Sequence, residues 1–369
     1  MEAMTEPNAA YRLTGLTLKN GWVVGERLKT GTEAGGSGGF FSVSYAVSKD
    51  GRTAFLKAFD LVKALKRGQA QGRSLVSILG DQAKAFTFET DLHDLCAGAK
   101  LRRVVRIIDH GEVDVPPEGH EQILQIPYMI MELADGGDVR GYLGKNTAVD
   151  LEMKLTYLKD VVLGLFQLHG VKIAHQDLKP SNVMIFGEVM AKVGDLGRAS
   201  SQDHVSLHDN LDVAGDKNYA PPEQLYGYPL VGWLDRRMRC DLYQFASVIV
   251  FVFFGRTLNN ALFEYLPQDI KPAFFHGTCS SYDTALPFLL SSFDTAISEW
   301  ETQCPIWLGK DLMQIIRQAG HPDYLQRGAR KALRQSVPQL GLDRFVSEFQ
   351  RLILRASIEA RKEASRAIA

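Results

Sequence analysis

The sequence predicts an α+β fold with two lobes, a small β-rich N-terminal lobe followed by a larger helical C-terminal lobe. Between residues 22 and 133, several segments alternate apolar and polar residues, which is typical of half-buried strands. From Leu151 onward, apolar residues recur at intervals of three and four, which is typical of helices. The chain has 369 residues, 45% hydrophobic and 23% charged, enough to bury a sizeable core.

The N-terminal strands are marked most clearly by FFSVSYAV, residues 40–47, with period-two alternation. RTAFLKAF follows after the turn signal KDG, so the two segments predict a hairpin around Asp50 and Gly51. VVRIID and IPYMIMEL predict further strands. Between them, residues 60–99 predict one or two helices with a break around Gly68 to Gly72.

The C-terminal part is predicted to be helical. LEMKLTYLKDVVLGLFQLHG has helical periodicity, and FASVIVFVFFG, residues 245–255, is too short for the ~20 residues of a membrane-spanning helix, which favours a buried core helix. The tail from Phe345 predicts an amphipathic helix packed on its own domain. The predicted divisions are a leader (1–21), the N-lobe (22–133), the C-lobe (134–335) and a helical extension (336–369).

Charge and cysteine content limit the classes of function. Lys and Arg number 42 and Asp and Glu 43, so the net charge of −1 predicts no nucleic-acid or membrane partner. The four cysteines are widely spaced, which indicates reduced thiols. The N-terminus lacks the apolar core of a secretory signal, and a cytoplasmic location is expected.

One loop and the segment after it concentrate the chemically active side chains. HQDLKPSN contains Asp177, Lys179 and Asn182, and VGDLG contains Asp195. Phosphoryl transfer from a nucleotide needs a carboxylate for the hydroxyl, a cation for the phosphates, and oxygen ligands for Mg²⁺. The glycines of GSGGFFSV, residues 36–43, would let backbone amides approach phosphate oxygens.

Lys57 lies inside an apolar strand, where an ammonium group needs an anionic partner. Glu89, on the helical stretch that follows, is the best carboxylate to pair with it.

This ordered set resembles the protein kinase family, whose catalytic loop reads His-Arg-Asp-Leu-x-x-x-x-Asn and whose metal-binding motif is Asp-Phe-Gly. YAPPE, ending at Glu223, resembles the Ala-Pro-Glu motif, and CDLYQFASVIV resembles the buried helix whose Asp, here Asp241, supports the catalytic loop. PYMIMELADGGDV resembles the interlobe hinge. The resemblance spans about Trp22 to Arg330 and implies a serine/threonine protein kinase that uses ATP and Mg²⁺ on a protein substrate.

The resemblance implies a role for each position. Asp177 would accept the hydroxyl proton, and Lys179 would neutralise the γ-phosphate. Mg²⁺ would be held by Asn182 and Asp195, and the α- and β-phosphates by Lys57, oriented by Glu89. The remaining nucleotide contacts would come from Gly36, Gly38, Gly39, Val43, Met131, Glu132, Ala134 and Asp138.

Several positions depart from the family pattern. Gln176 replaces an Arg that in many relatives binds a phosphorylated activation loop, and a neutral amide cannot form that charge-assisted pair. Activity is therefore expected without phosphorylation of the activation loop, although it carries acceptor serines: Ser200, Ser201 and Ser206. Asp216 stands where serine/threonine kinases usually have a Thr near the catalytic Lys.

Two aromatic residues keep a second interpretation open. Phe41 occupies the third Gly position of the Gly-rich loop, and Phe55 lies on the same face of its strand as Lys57, where it would partly fill the nucleotide pocket. A pseudokinase that acts as a scaffold or switch is the alternative these residues motivate. A kinase-like small-molecule phosphotransferase is less favoured, because Lys179 and the APPE segment fit a protein kinase better.

Two further residues have predicted structural roles: His175 as a buried brace of the loop, and Arg327 as the partner of Glu223. The sequence identifies no regulatory partner, and a regulator is left open.

Overall fold

The computed structural model describes residues 8–28, 42–119, 121, 123–146, 149–335 and 340–368. The chain forms two compact units, one of Met1–Asp135 with Asp195–Gly197 and the other of Gly136–Gly194 with Arg198–Ala369. Strands dominate the first unit and helices the second, which confirms the predicted α+β class.

The first unit is built on an antiparallel sheet with the strand order β1-β2-β3-β5-β4. Its elements are β1 (Val23–Arg27), β2 (Ser42–Lys49), β3 (Arg52–Phe59), α1 (Leu61–Ala70), α2 (Leu75–Gly98), β4 (Ile107–Asp114) and β5 (Gln125–Glu132).

The predicted hairpin is confirmed. Lys49 pairs with Arg52 across a two-residue loop in which Asp50 and Gly51 have φ angles of 48° and 72°. Positive φ at both loop positions is the conformation that matches the twist of the flanking strands, and Asp-Gly is a favoured sequence for it.

Two capped helices fill residues 60–99, with the break where it is predicted. The side chain of Asp60 accepts from Lys63 N at the start of α1, and that of Ser74 accepts from Ser77 N at the start of α2. Gly72, with a φ of 75°, makes the turn between the two helices.

Residues 9–18, within the segment predicted as a leader, contribute to the core of this unit. Ala9, Ala10, Leu13 and Leu18 are buried among side chains from β2, β3 and β5, and Tyr45 donates from its hydroxyl to Ala10 O at 2.7 Å. The packed region therefore begins well before Trp22.

The second unit contains two small sheets, β6-β8-β9 and β10-β7, and most of the helices. Its strands are β6 (Gly137–Asp138), β7 (Ile173–Ala174), β8 (Val183–Phe186), β9 (Met190–Val193) and β10 (Ser200–Ser201). Its helices are α3 (Val139–Lys145), α4 (Leu151–Gly170), α5 (Pro222–Leu225), α6 (Arg239–Phe254), α7 (Leu258–Glu264), α8 (Tyr282–Gln303), α9 (Ile306–Ala319), α10 (Arg330–Leu333) and α11 (Leu342–Ile368). A π-helical turn, Leu234–Met238, precedes α6.

Helix α6 is the predicted core helix. Its residues from Arg239 to Val250 are all buried, and Gly255 ends it in the left-handed conformation, with a φ of 70°. In the described part of the chain, no helix is by itself long and apolar enough to cross a membrane. A bent pair, Leu234–Phe254 and Leu258–Glu264, which meet at 84°, has the required length and composition only together.

The C-terminal helix α11 packs on its own unit, as predicted. Phe345, Phe349 and Leu352 are buried, and the Phe349 ring lies 5.9 Å from that of Phe245 on α6. The apolar face of α11 therefore completes the core around α4 and α6.

Candidate active site

The first unit brings three of the predicted site residues together around Lys57 on β3. Lys57 Nζ lies 2.7 Å from Glu89 Oε1 on α2 and 3.3 Å from Asp195 Oδ1. Glu89 is therefore the carboxylate that orients Lys57, although it is 32 residues away along the chain. Asp195 has a φ of 60°, a conformation that non-glycine residues rarely adopt.

The two carboxylates keep Lys57 charged. Burial alone would lower the pKa of Lys57, but the negative charges of Asp195 and Glu89 outweigh that effect and raise it. This unit thus holds a fixed cation beside two anions, an arrangement able to bind phosphate oxygens through Lys57 and a divalent metal through Asp195.

The strand register corrects one predicted nucleotide contact. Val43 pairs with Ala58 and lies in the apolar core, whereas Ser44 pairs with Lys57. Side chains of directly paired residues lie on the same face of a sheet, so Ser44 shares the face of Lys57 and Val43 has the opposite one. Ser44 replaces Val43 as the candidate on this strand.

Phe55 lies on the face of Lys57, as predicted from the two-residue spacing. It pairs with Ala46 on β2 and with Met131 on β5, and its side chain is only partly buried. Met131 is buried at the end of β5. The predicted Gly36, Gly38 and Gly39, like Phe41, lie outside the described residues.

The predicted hinge residues follow β5. The N–H of Glu132 donates to Arg106 O at 3.1 Å. Ala134 is partly exposed in the segment after the strand. Asp138 belongs to the second unit, where its carboxylate caps α3 by accepting from Gly141 N at 2.8 Å.

In the second unit, the loop after β7 holds Asp177 by both carboxylate oxygens. Oδ2 accepts from Lys179 Nζ at 2.8 Å and from Asn182 Nδ2 at 3.2 Å, and Oδ1 accepts from Asp216 N at 2.7 Å. Lys179 and Asn182 are themselves buried. Three donors fix the orientation of Asp177, which is what a group that must meet a substrate hydroxyl requires.

The peptide that carries Asp216 is seated directly on this loop. A Cβ added at Gly215 would lie 2.6 Å from Asp177 Oδ1 and 2.9 Å from Asp177 Cα, so only glycine fits there. Lys179 Nζ is 3.9 Å from Asp216 Oδ2, which gives this lysine a second carboxylate neighbour.

Asp241, at the start of α6, supports the loop from below. It accepts backbone hydrogen bonds from His175 N at 2.7 Å and Gln176 N at 2.8 Å, and His169 Nε2 lies 2.8 Å from it. His175 is fully buried, with Nε2 2.9 Å from Gly194 O. The predicted bracing roles of Asp241 and His175 are thus confirmed.

The pair predicted between Arg327 and Glu223 is also present, with distances of 2.5 and 2.6 Å. The sequence did not reveal Arg237, whose guanidinium donates to Gln176 Oε1 at 3.2 Å. Its partner is 61 residues away along the chain. No local pattern marks such a contact, and the substitution at Gln176 is the one signal that points to it.

Each unit offers an oxygen donor of the type that suits a divalent metal. Asn182 donates from Nδ2 to Asp177 O and Oδ2, so Oδ1 is the atom of this side chain that would face a metal. The Asp195 side chain is 32% exposed. Within the described ranges, no three or more His, Cys, Asp or Glu side chains form a metal cluster. Mg²⁺ commonly takes one or two protein ligands and completes its shell with phosphates and water.

The sequence was also compared with families and curated proteins. Residues 34–261, more than half of the chain, match the protein kinase domain. Over 155 residues, 42% of this chain, it is 30% identical to "probable serine/threonine-protein kinase PknB" of Bifidobacterium longum, covering 21% of that protein. Over 136 residues, 37% of this chain, it is 26% identical to a "probable serine/threonine-protein kinase" of Clostridium acetobutylicum, covering 20% of it.

A vertebrate protein is similar as well. Over 137 residues, 34% of this chain, the identity to "inhibitor of nuclear factor kappa-B kinase subunit alpha" of Xenopus laevis is 31%, covering 18% of that protein. The chain thus spans roughly a fifth of the length of these relatives.

Proposed function

Because the chain belongs to the protein kinase family, we propose that it transfers the γ-phosphoryl group of ATP to serine or threonine hydroxyls of a protein substrate. The observation that carries the proposal is the fixed carboxylate of Asp177, held by Lys179, Asn182 and Asp216 N. The serine/threonine preference is supported by Lys179, two residues after the Asp, and by the names of the relatives.

Asp177 would accept the proton of the acceptor hydroxyl as its oxygen bonds to the γ-phosphorus and the bond to the ADP oxygen breaks. Lys179, buried beside Asp177, would neutralise charge on the transferred group. Lys57, kept charged by Glu89 and Asp195, would hold the α- and β-phosphates.

Asn182 and Asp195 would hold Mg²⁺, which when bound neutralises charge on the phosphate oxygens. The two bonds from Asn182 Nδ2 to Asp177 support this role, because they would leave Oδ1 as the metal ligand.

One observation favours a second candidate, a pseudokinase without transfer. Phe55 pairs with Ala46 and Met131 and lies on the face of Lys57, where its ring would compete with adenine for room.

Incubation of the wild type and Asp177→Ala with γ-labelled ATP, Mg²⁺ and a generic acceptor protein tests the proposal. We expect label transfer by the wild type alone, with both proteins showing a thermal shift on adding ATP and Mg²⁺. Absence of both transfer and thermal shift in the wild type would refute it in favour of the pseudokinase.

A further inference from the structure

A buried arginine connects residues 198–223, here called the activation segment, to the loop that carries Asp177. Arg237, on the π-helical turn before α6, is 2% exposed. Its Nη1 donates to Gln176 Oε1 at 3.2 Å, and Gln176 Nε2 donates back to Arg237 O at 2.8 Å. These reciprocal bonds join two elements that are distant in sequence.

The same arginine holds the activation segment through Asp209. Arg237 Nη2 donates to Asp209 O at 2.6 Å and lies 3.7 Å from Asp209 Oδ1. One guanidinium therefore binds Gln176 with one nitrogen and Asp209 with another.

The Asp209 carboxylate in turn gathers donors from its own segment. Oδ1 accepts from Ser200 Oγ at 2.8 Å, and Oδ2 accepts from Ser206 N at 2.7 Å. Ser200 Oγ also accepts from Trp233 Nε1 at 3.2 Å. The carboxylate of Asp209 thus joins the beginning and the middle of the activation segment, and the same residue binds Arg237 through its backbone carbonyl and the 3.7 Å ion pair.

Electrostatics explain why an anion belongs there. Burial lowers the pKa of Arg237, and Asp209 acts in the opposite direction by stabilising the charged form. A buried guanidinium without a counter-charge would be costly. Gln176 is neutral, so the negative charge at this junction comes first from the carboxylate of Asp209 and to a smaller extent from that of Asp241.

We propose that Asp209 is a positioning residue for phosphoryl transfer, whose carboxylate fixes the activation segment to the Asp177 loop through Arg237 and Gln176 in place of a phosphate. The catalytic part of this inference rests on the proposed function, whereas the structural part does not. Ser200 and Ser206 are buried against Asp209, so a phosphate on either would place like charges together and loosen the segment.

The test uses the full chain with Asp209→Asn and Asp209→Glu. Asp203→Asn is the matched control, since Asp203 lies in the same segment and its carboxylate pairs with the exposed Lys172. We expect Asp209→Asn to lower kcat about tenfold with little change in the KM for ATP. Asp209→Glu should recover part of the lost kcat, and Asp203→Asn should have the kcat of the wild type. Amide hydrogen exchange over residues 198–216 should quicken in Asp209→Asn alone.

A combined variant tests whether the two residues act as a unit. Asp209→Asn with Arg237→Gln should have the kcat of the worse single variant, and phosphatase treatment should leave the wild-type rate unchanged. Equal exchange and equal kcat in Asp209→Asn and Asp203→Asn would overturn the inference, as would a rate lost on dephosphorylation. If the wild type shows neither phosphate transfer nor a thermal shift with ATP and Mg²⁺, the proposed function fails, and the exchange comparison by itself decides the role of Asp209.

Discussion

Arg327 donates from Nη1 and Nη2 to the two carboxylate oxygens of Glu223, at 2.5 and 2.6 Å, with both side chains almost fully buried. Arg327 also donates to His321 O and Pro322 O, and its guanidinium lies 4.9 Å from the centre of the Tyr243 ring. The guanidinium of Arg327 thus has hydrogen-bond acceptors and an aromatic ring around it as well as the carboxylate, and a buried ion pair is tolerated only when its groups have such partners.

Breaking this pair should destabilise the second unit strongly. Arg327→Gln leaves the Glu223 carboxylate buried without a cation, and we expect the free energy of unfolding to fall by about 3–5 kcal/mol in urea denaturation. Arg317→Gln is the control, because Arg317 pairs with Asp294 at the surface and should cost about 1 kcal/mol or less. Equal losses in the two variants would contradict the prediction.

Lys57 should stay charged across the working pH range. The pKa of Lys57 is higher in the folded than in the unfolded chain. The charged lysine therefore contributes its full stabilisation at any pH below the ordinary lysine pKa of about 10, and this stabilisation is lost only at higher pH. Calorimetric ATP affinity should therefore show no Lys57-dependent loss between about pH 7 and 9. Lys57→Met should abolish the affinity, and Glu89→Gln should weaken it less, because Glu89 acts through Lys57. The prediction would be contradicted if the ATP affinity of the wild type declined with rising pH at a midpoint well below the lysine pKa, while that of Lys57→Arg did not.

The register of β2 and β3 makes opposite predictions for two adjacent residues. Ser44→Leu adds bulk at a buried position on the face of Lys57 and should raise the KM for ATP. Val43→Ala removes buried apolar surface and should lower the free energy of unfolding by about 1–3 kcal/mol with the KM unchanged. Kinetic assays and thermal unfolding of both variants check this, and a KM effect from Val43→Ala alone would restore the original assignment.

His93, buried on α2 one turn after Glu89, should make stability depend on pH. Burial, and secondarily the charge of Lys57, lower the pKa of His93 from 6.5 to about 4. Between those values the unfolded chain binds a proton that the folded chain does not, so stability falls as the pH decreases through this window, by at most about 3 kcal/mol. Urea midpoints at pH 7 and pH 5 should differ in the wild type and differ less in His93→Leu. If the wild type and His93→Leu showed the same pH dependence of stability, that dependence would come from groups other than His93.

Local patterns predicted the elements but not their register. The Asp-Gly turn, the alternation around it and the Gly break after α1 are short-range signals, and the structure confirms the elements they predict. Val43 was misassigned because motif spacing counts along one strand, whereas the face of a residue depends on how the hairpin closes. Because the hairpin closes with Lys49 paired to Arg52, the residue opposite Lys57 is Ser44, which follows Val43 in the sequence.

Some long-range contacts could be predicted from the sequence and others could not. Glu89 and Arg327 could be predicted because each has a charged partner in a recognisable motif. Arg237 belongs to no motif, and its importance appears only when folding places it between Gln176 and Asp209. The packing of residues 9–18 against β2 could not be predicted, because this segment shows no clear periodicity.

The packing of α11 has a practical consequence for recombinant production. The family match ends at residue 261, but the core of the second unit continues through Phe345, Phe349 and Leu352. A fragment trimmed to the matched region would leave the ring of Phe245 and the adjoining surface of α4 open to solvent. Expression boundaries for this chain should therefore run beyond Ala356, the last buried residue of α11 up to residue 366, because shorter fragments are expected to accumulate as insoluble material.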